Sequence, residues 1–252
     1  MTQPPRVHPD RWKGVPNHPR PPLARQIPIS AAVGVTVISP KYEYLAAEAV
    51  NRFRAKTKLD VIVVYSNQEP SFAAKLNLDL LVAPNPIVFF DADFWMLRPY
   101  SFIPLATSER FCAVPDPGAF TPLTFPYDDC EREGWDKEAY FNSGLFACDL
   151  RRPEIRTVFA EARQHLADCH RGLARRPADW TDQYFLNWAV RRHPGLFQPL
   201  PFALNFYKHA VDSGYASHIP RDIIGLHAAG IRADHKLHAL RQQAPVFGPP
   251  ES

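Results

Sequence analysis

Asp91 and Asp93 stand two positions apart at the end of an apolar run, Ile87 to Phe90, in a chain of 252 residues. On an extended segment the side chains at i and i+2 point the same way, so both carboxylates can face one hard cation. A run this apolar does not end in two carboxylates without compensation, because a desolvated charge needs a partner. A divalent ion that also bridges two phosphates is one such partner; the start of a turn is the other reading. Three further positions carry the same double reading. His227 is a ligand or a buried histidine bonded to a carbonyl. Asn142 is a functional amide or closes a turn before Gly144. Asp182 is a functional carboxylate or a favourable first-turn acid on its helix, worth a few tenths of a kcal/mol.

The elements that must position these residues alternate between strand and helix patterns. Ala31 to Ser39 is a nearly continuous apolar run, as expected of a strand buried on both faces, and Leu59 to Tyr65 and Ile87 to Phe90 repeat the type. Between them Tyr42, Leu45, Ala49, Val50 and Phe53 recur at helical spacing, and Ser71 is suited to cap a helix carrying Phe72, Leu76 and Leu80. This β-α-β-α-β order predicts an α/β fold with a mainly parallel central sheet flanked by helices, and a ligand beyond the carboxyl ends of the strands. Ser39 to Tyr42 and Asp91 to Asp93 both fall at such ends. No G-x-G-x-x-G follows the first strand, which argues against a dehydrogenase. Residues 115–140, with six prolines and glycines among several aromatics, read as a long functional loop. Pro153 suits the first turn of a long helix marked by Ile155, Val158, Phe159, Ala162, Leu166 and Leu173. Thr181 is a cap for another helix through Tyr184, Phe185, Trp188 and Ala189, and strand fragments lie around 196–204 and 223–227. Proline density over residues 1–28 predicts an extended arm. The expected organisation is therefore an arm over 1–28, one domain over 29–240 and a tail over 241–252.

An apolar content of 46% fits a folded globular protein, and a net charge of +3 with scattered basic residues fits no nucleic-acid partner. The arginine pairs at 151–152, 175–176 and 191–192 read as solvated helix faces. No apolar run approaches the roughly 20 residues that span a bilayer. The proline- and arginine-rich N-terminal residues have no hydrophobic stretch of the signal-peptide type. Cys112, Cys130, Cys148 and Cys169 form no C-x-x-C pair and are expected to be reduced thiols, with the cytoplasm as the compartment.

Four motifs, in order along the chain, resemble those of glycosyltransferase family 8. Val88 to Pro99 (VFFDADFWMLRP) is similar to its apolar strand ending in D-x-D, and Tyr140 to Leu150 (YFNSGLFACDL) to its F-N-[AS]-G segment. Asp182-Gln183 resembles its D-Q pair, and Leu226 to Gly230 (LHAAG) its C-terminal H-x-x-G. The resemblance covers roughly residues 31–236. It implies a single domain of the GT-A fold that moves a hexose, from UDP-glucose or UDP-galactose, onto an acceptor with retention of configuration. It implies that Asp91, Asp93 and His227 hold a metal; two carboxylates and one imidazole suit Mn²⁺, with Mg²⁺ second. By the same resemblance Asn142, Ser143 and Gly144 border the donor sugar, Asp182 and Gln183 its reacting face, and Lys75 lies near the donor. Where the family carries an acidic residue to read the base, this chain has Ser39-Pro40-Lys41, leaving Tyr42 as a stacking platform. Where the family's diphosphate-binding lysine would fall stands Ala233, so beside Gly230 the charge is expected from Arg232, His235 or Lys236. The acceptor is a glycan, lipid, protein or small molecule, its site shaped by residues 115–140. A nucleotidyltransferase acting on sugar phosphates and a non-catalytic nucleotide-sugar-binding homologue are the alternatives.

Overall fold

The computed structural model describes residues 31–66, 71–122, 124–178, 181–214 and 219–248. The arm expected over 1–28, residues 249–252 of the expected tail and the side chain of Ser71, expected as a helix cap, lie outside the described residues.

The three apolar runs form β1 (Val33–Ile38), β2 (Val61–Tyr65) and β3 (Pro86–Phe90), with α1 (Glu43–Thr57) crossing between the first two. A short strand, β4 (Phe94–Met96), and a single helical turn, α3 (Ile103–Ala106), lead into β5 (Phe111–Pro115). Then come α4 (Phe125–Glu133), β6 (Phe141–Asp149), α5 (Pro153–His170), α6 (Asp182–Arg191) and β7 (Phe197–Pro199). The chain closes with α7 (Lys208–Asp212), β8 (Gly225–His227) and α8 (Lys236–Phe247). The central sheet has the order β2-β1-β3-β6-β5-β7, in which β6 alone runs against the others. The sheet is thus mainly parallel, as the alternation of patterns predicts.

Successive residues of the strands feed two cores, as the period of two requires. Ile87, Phe89, Phe146 and Cys148 pack with α5 and α6 on one face. Val88, Phe90, Leu145 and Ala147 pack with α1, β4 and β8 on the other. There Phe53 of α1 stacks on Phe90 at 4.0 Å. The second, two-stranded sheet pairs β4 with β8.

Three expectations are corrected. Residues 71–81 are not one α-helix but a 3₁₀ segment, Ser71–Asn77, continued by α2 (Leu78–Leu81). Phe72 and Leu76 do pack in one core, joined by Leu78, but the tighter winding turns Lys75 toward the sheet edge and leaves Leu80 67% exposed. Residues 115–140 are not one loop: two of the four prolines begin helices. Pro117 opens a 3₁₀ turn, and Pro126 lies in the first turn of α4 behind the Thr124 cap, with Gly134 closing the helix at φ 65°. α8 carries Leu240 and Ala244 into the core. Finally, Leu173, expected on the long helix, falls beyond the end of α5 and is exposed. All four cysteines are unpaired and buried, and burial pushes the Cys130 thiol up to about 11. Among the described residues no helix is long and apolar enough to cross a membrane.

Candidate active site

The carboxyl ends of β1, β3 and β8, the start of β6 and the N-termini of α6 and α8 meet at one edge of the sheet. They surround a cavity of about 320 Å³. At the end of β3 the Asp91 N–H donates to the Gly144 carbonyl at 2.9 Å, and the Phe94 N–H returns to the Asp91 carbonyl at 3.0 Å. Asp91 to Asp93 is therefore a turn and not the extended segment assumed from the spacing. The carboxylates converge because the chain reverses into β4. That reversal also sets the third partner: β4 pairs antiparallel with β8 so that Phe94 lies opposite His227, and the Ala228 N–H donates to the Asp93 carbonyl.

His227 turns Nε2 to the carboxylates, 3.3 Å from Asp93 Oδ1 and 3.8 Å from Asp91 Oδ2. Its Nδ1 is buried without a hydrogen-bond partner among the described residues. The imidazole fits because β6 carries glycine at 144: a Cβ there would overlap His227 Cε1. Two ammonium groups flank the acids. Lys75, delivered by the 3₁₀ segment, lies 2.9 Å from Asp91 Oδ1 and 2.7 Å from Asp182 Oδ2. Lys236, the first residue of α8, donates to Asp93 Oδ2 and, at 2.8 Å, to the Ala228 carbonyl.

These contacts govern the charge states. Burial would lower the Lys75 ammonium, but Asp182 and Asp91 overcome it and hold the group above its usual range. Burial likewise pushes Asp91 up, with Lys75 pulling against it. At Asp93 burial also raises the carboxyl, but His227 and Lys236 more than offset it and hold it well below the usual range.

Ligand atoms of Asp91, Asp93 and His227 all lie within 4.8 Å of one another. Two hard oxygen donors and one imidazole of this kind suit a divalent ion. Among the lining residues, the carboxylates of Asp91, Asp93 and Asp182 outnumber the ammonium groups of Lys75 and Lys236 by one. A divalent ion would reverse that balance and leave the cavity attractive to a diphosphate. The residues present therefore fit a metal.

Ser39, Tyr42, Asn142, Ser143, Gly144 and Gln183 also line the cavity, with Asp182. Ser143 Oγ donates to Asp182 Oδ2 at 2.5 Å, and its N–H donates to Gln183 Oε1 at 3.2 Å. Three expected residues are not brought here, one of them His235, which is exposed beside Asp234. Gly230 lies outside the lining and makes a left-handed turn at φ 74°, where a Cβ would meet His209. Arg232 is exposed and pairs with Asp234 at 3.2 Å, because α8 begins only at Lys236 and turns that residue, not Arg232, inward.

Behind the lining stand residues the motifs do not reach. Asp116, at the end of β5, accepts from Tyr207 Oη, from the Gly118 N–H and from Gln183 Nε2. Asn205 donates to Asn142 Oδ1 at 2.9 Å. Asn187 holds the start of β6 by accepting from the Phe141 N–H and donating to its carbonyl. In sequence Asp116-Pro117-Gly118 looks like a turn, and the buried strand leading into it was its only signal. Nothing local marks Asn205 or Asn187.

No protein-family model matches the chain, and no curated protein matches it in sequence. Solved structures do match its fold. A bifunctional glycosyltransferase, WbbM, superposes over 90% of this chain with a TM-score of 0.61 at 14% identity. The chain spans about half of that protein, 53% of its length. An active-site mutant of LgtC superposes over 84% of this chain and 96% of its own, with a TM-score of 0.58 at 13% identity. The glycosyltransferase GlyE of Streptococcus pneumoniae TIGR4 covers 88% of this chain and 66% of its own, with a TM-score of 0.53 at 11% identity. The α/β fold described above is thus one that solved glycosyltransferases share.

Proposed function

We propose that the chain is a metal-dependent glycosyltransferase that moves a hexose from a nucleotide-sugar, UDP-glucose or UDP-galactose, onto an acceptor with retention. The observation that carries this reading is the convergence of Asp91, Asp93 and His227 between Lys75 and Lys236, at the sheet edge of a fold shared with glycosyltransferases. A divalent ion held by the three would neutralise the diphosphate as the sugar–phosphate bond breaks.

The chain's own residues supply the rest. Tyr42 at the cavity wall offers a face to the base, and Ser39 its neighbouring polar group. Lys236, close to that ring and to Asp93, is the cation for the diphosphate. Lys75 fixes the Asp91 and Asp182 carboxylates, and Asn142, with Ser143 and Gly144, borders the sugar. Retention is supported by the occupancy of the acids. Asp182 is held by Lys75 and Ser143, and Asp91 and Asp93 belong to the metal cluster, so no carboxylate of the described lining is left to serve as the base of an inverting transfer or to attack the sugar. The acceptor oxygen then enters on the face the diphosphate leaves. Its proton passes to the departing phosphate oxygen, while Gln183 steadies the positive charge developing at the sugar.

The experiment is UDP release from UDP-glucose and from UDP-galactose, with Mn²⁺ or Mg²⁺ and after EDTA treatment, followed by NMR of any transferred sugar. Release that needs the divalent ion and an α-linked product support the reading. Full activity after EDTA refutes the metal role, and a β-linked product refutes retention.

A further inference from the structure

Gln183 lies between a group that only accepts hydrogen bonds and a group that only donates them. On one side Asp116 Oδ2 accepts from Gln183 Nε2 at 2.8 Å, while its other oxygen is filled by Tyr207 Oη at 2.6 Å and the Gly118 N–H at 2.8 Å. On the other side the Ser143 N–H donates to Gln183 Oε1 at 3.2 Å. All three side chains, Asp116, Ser143 and Gln183, are buried. Turned end for end, the amide would set its oxygen against the Asp116 carboxylate and its NH₂ against the Ser143 N–H, leaving two buried groups opposed and unsatisfied.

We propose that Asp116 is a positioning residue that fixes the Gln183 amide in one orientation, its carbonyl oxygen on the side of Ser143 and the sugar-binding segment. Its consequence for sugar transfer rests on the functional reading above. The oxygen end carries the partial negative charge that a cationic sugar centre requires, whereas the NH₂ end would oppose it. Asp116 lies outside the cavity lining, so it acts through Gln183 and not on the substrate.

The test is a double-mutant cycle. Asp116→Asn keeps an oxygen for Tyr207 and Gly118 but turns an NH₂ group toward the Gln183 NH₂. Gln183→Glu turns a carboxylate toward the Asp116 carboxylate. In the double variant, the new amide at position 116 and the Ser143 N–H both donate to the new carboxylate at position 183, and every group is satisfied again. Each single change is expected to lower Tm by roughly 5 °C, and the double variant to regain most of that loss. Additive losses would overturn the assigned orientation. For the catalytic consequence, Asp116→Asn should slow UDP release from UDP-glucose or UDP-galactose by about tenfold or more while UDP affinity by calorimetry stays within about twofold. Wild-type release in that variant, or a parallel loss of UDP affinity, would overturn the positioning role. A wild-type protein that neither binds UDP nor releases it from either donor would sink the functional reading instead. The Tm cycle would still decide the orientation of the amide.

Discussion

Asp93 sits between two cationic partners, and that sets the sign of its replacement. Two neighbouring carboxylates alone repel, so removing one would be expected to leave stability unchanged or raise it. Here, however, Asp93→Ala leaves His227 facing Asp91 alone and Lys236, 8% exposed, with the Ala228 carbonyl but no carboxylate. Breaking a buried pair from one side costs about 3–5 kcal/mol, a fall in Tm of roughly 6–20 °C. Thermal unfolding checks the sign, and UDP release should be abolished with it. Lys236→Ala asks a different question. Its ammonium occupies Asp93, so without it Mn²⁺ should bind the donor-free protein several-fold more tightly in calorimetry. UDP should bind about tenfold more weakly, as expected for the loss of a charge-assisted contact. Unchanged UDP affinity would remove Lys236 from the diphosphate site. At this scale the sequence was informative where chemistry repeats in short motifs: D-x-D, F-N-S-G, D-Q and the histidine all reach one cavity. It was silent on Asp116 and Asn205, whose roles come from contacts made 67 and 63 positions away.

Helices α5 and α6 meet through a ring stack, His165 on Trp188 at 4.0 Å and 8° between planes. Burial holds the His165 imidazole below its ordinary value; Asp168 and Glu133 pull it up but do not overcome this, and Arg192 adds to the lowering. The unfolded chain therefore binds a proton at about pH 6.5 that the folded chain accepts only at lower pH. Stability is full above that pH and declines as the pH falls from it toward the folded value. His165→Phe keeps the stack and removes the proton, so its Tm should change less than wild type between pH 7.5 and 5.5. Identical slopes in the two proteins would show that the stack is not titrating. Elements with a strong period were legible in the sequence: β1 to β3, α1, α5 and α6 fall where the apolar spacing puts them. Two of those missed had ambiguous signals. Proline marks loops in composition but is also the residue best suited to a helix's first turn, so α4 was hidden by Pro126. The 3₁₀ segment at 71–77 was hidden because periods of 3 and 3.6 diverge little over two turns.

In the whole molecule the site joins segments that lie far apart along the chain. Lys236 and Asp93 are 143 positions apart, and His227 reaches Asp93 only because β8 zips onto β4. The sheet order β2-β1-β3 is complete within the first three strands, whereas the two-stranded sheet must wait for the last one. Contacts so distant along the chain form late, since closing a long loop costs entropy before it returns any contact. In pulsed hydrogen exchange during refolding, the amides of Phe94 to Met96 should gain protection together with those of Gly225 to His227, and after those of β1 and β3. Protection of β4 ahead of β8 would contradict this. For a chain emerging from the ribosome the same pairing has a cost. Until His227 and Lys236 have left the exit tunnel, Asp93 has neither of its cations, and folding its turn into the core would strand a bare carboxylate away from water. Asp91 finds its cation in Lys75 upstream, whereas Asp93 keeps its own turn exposed until the segment carrying His227 and Lys236 arrives to neutralise it.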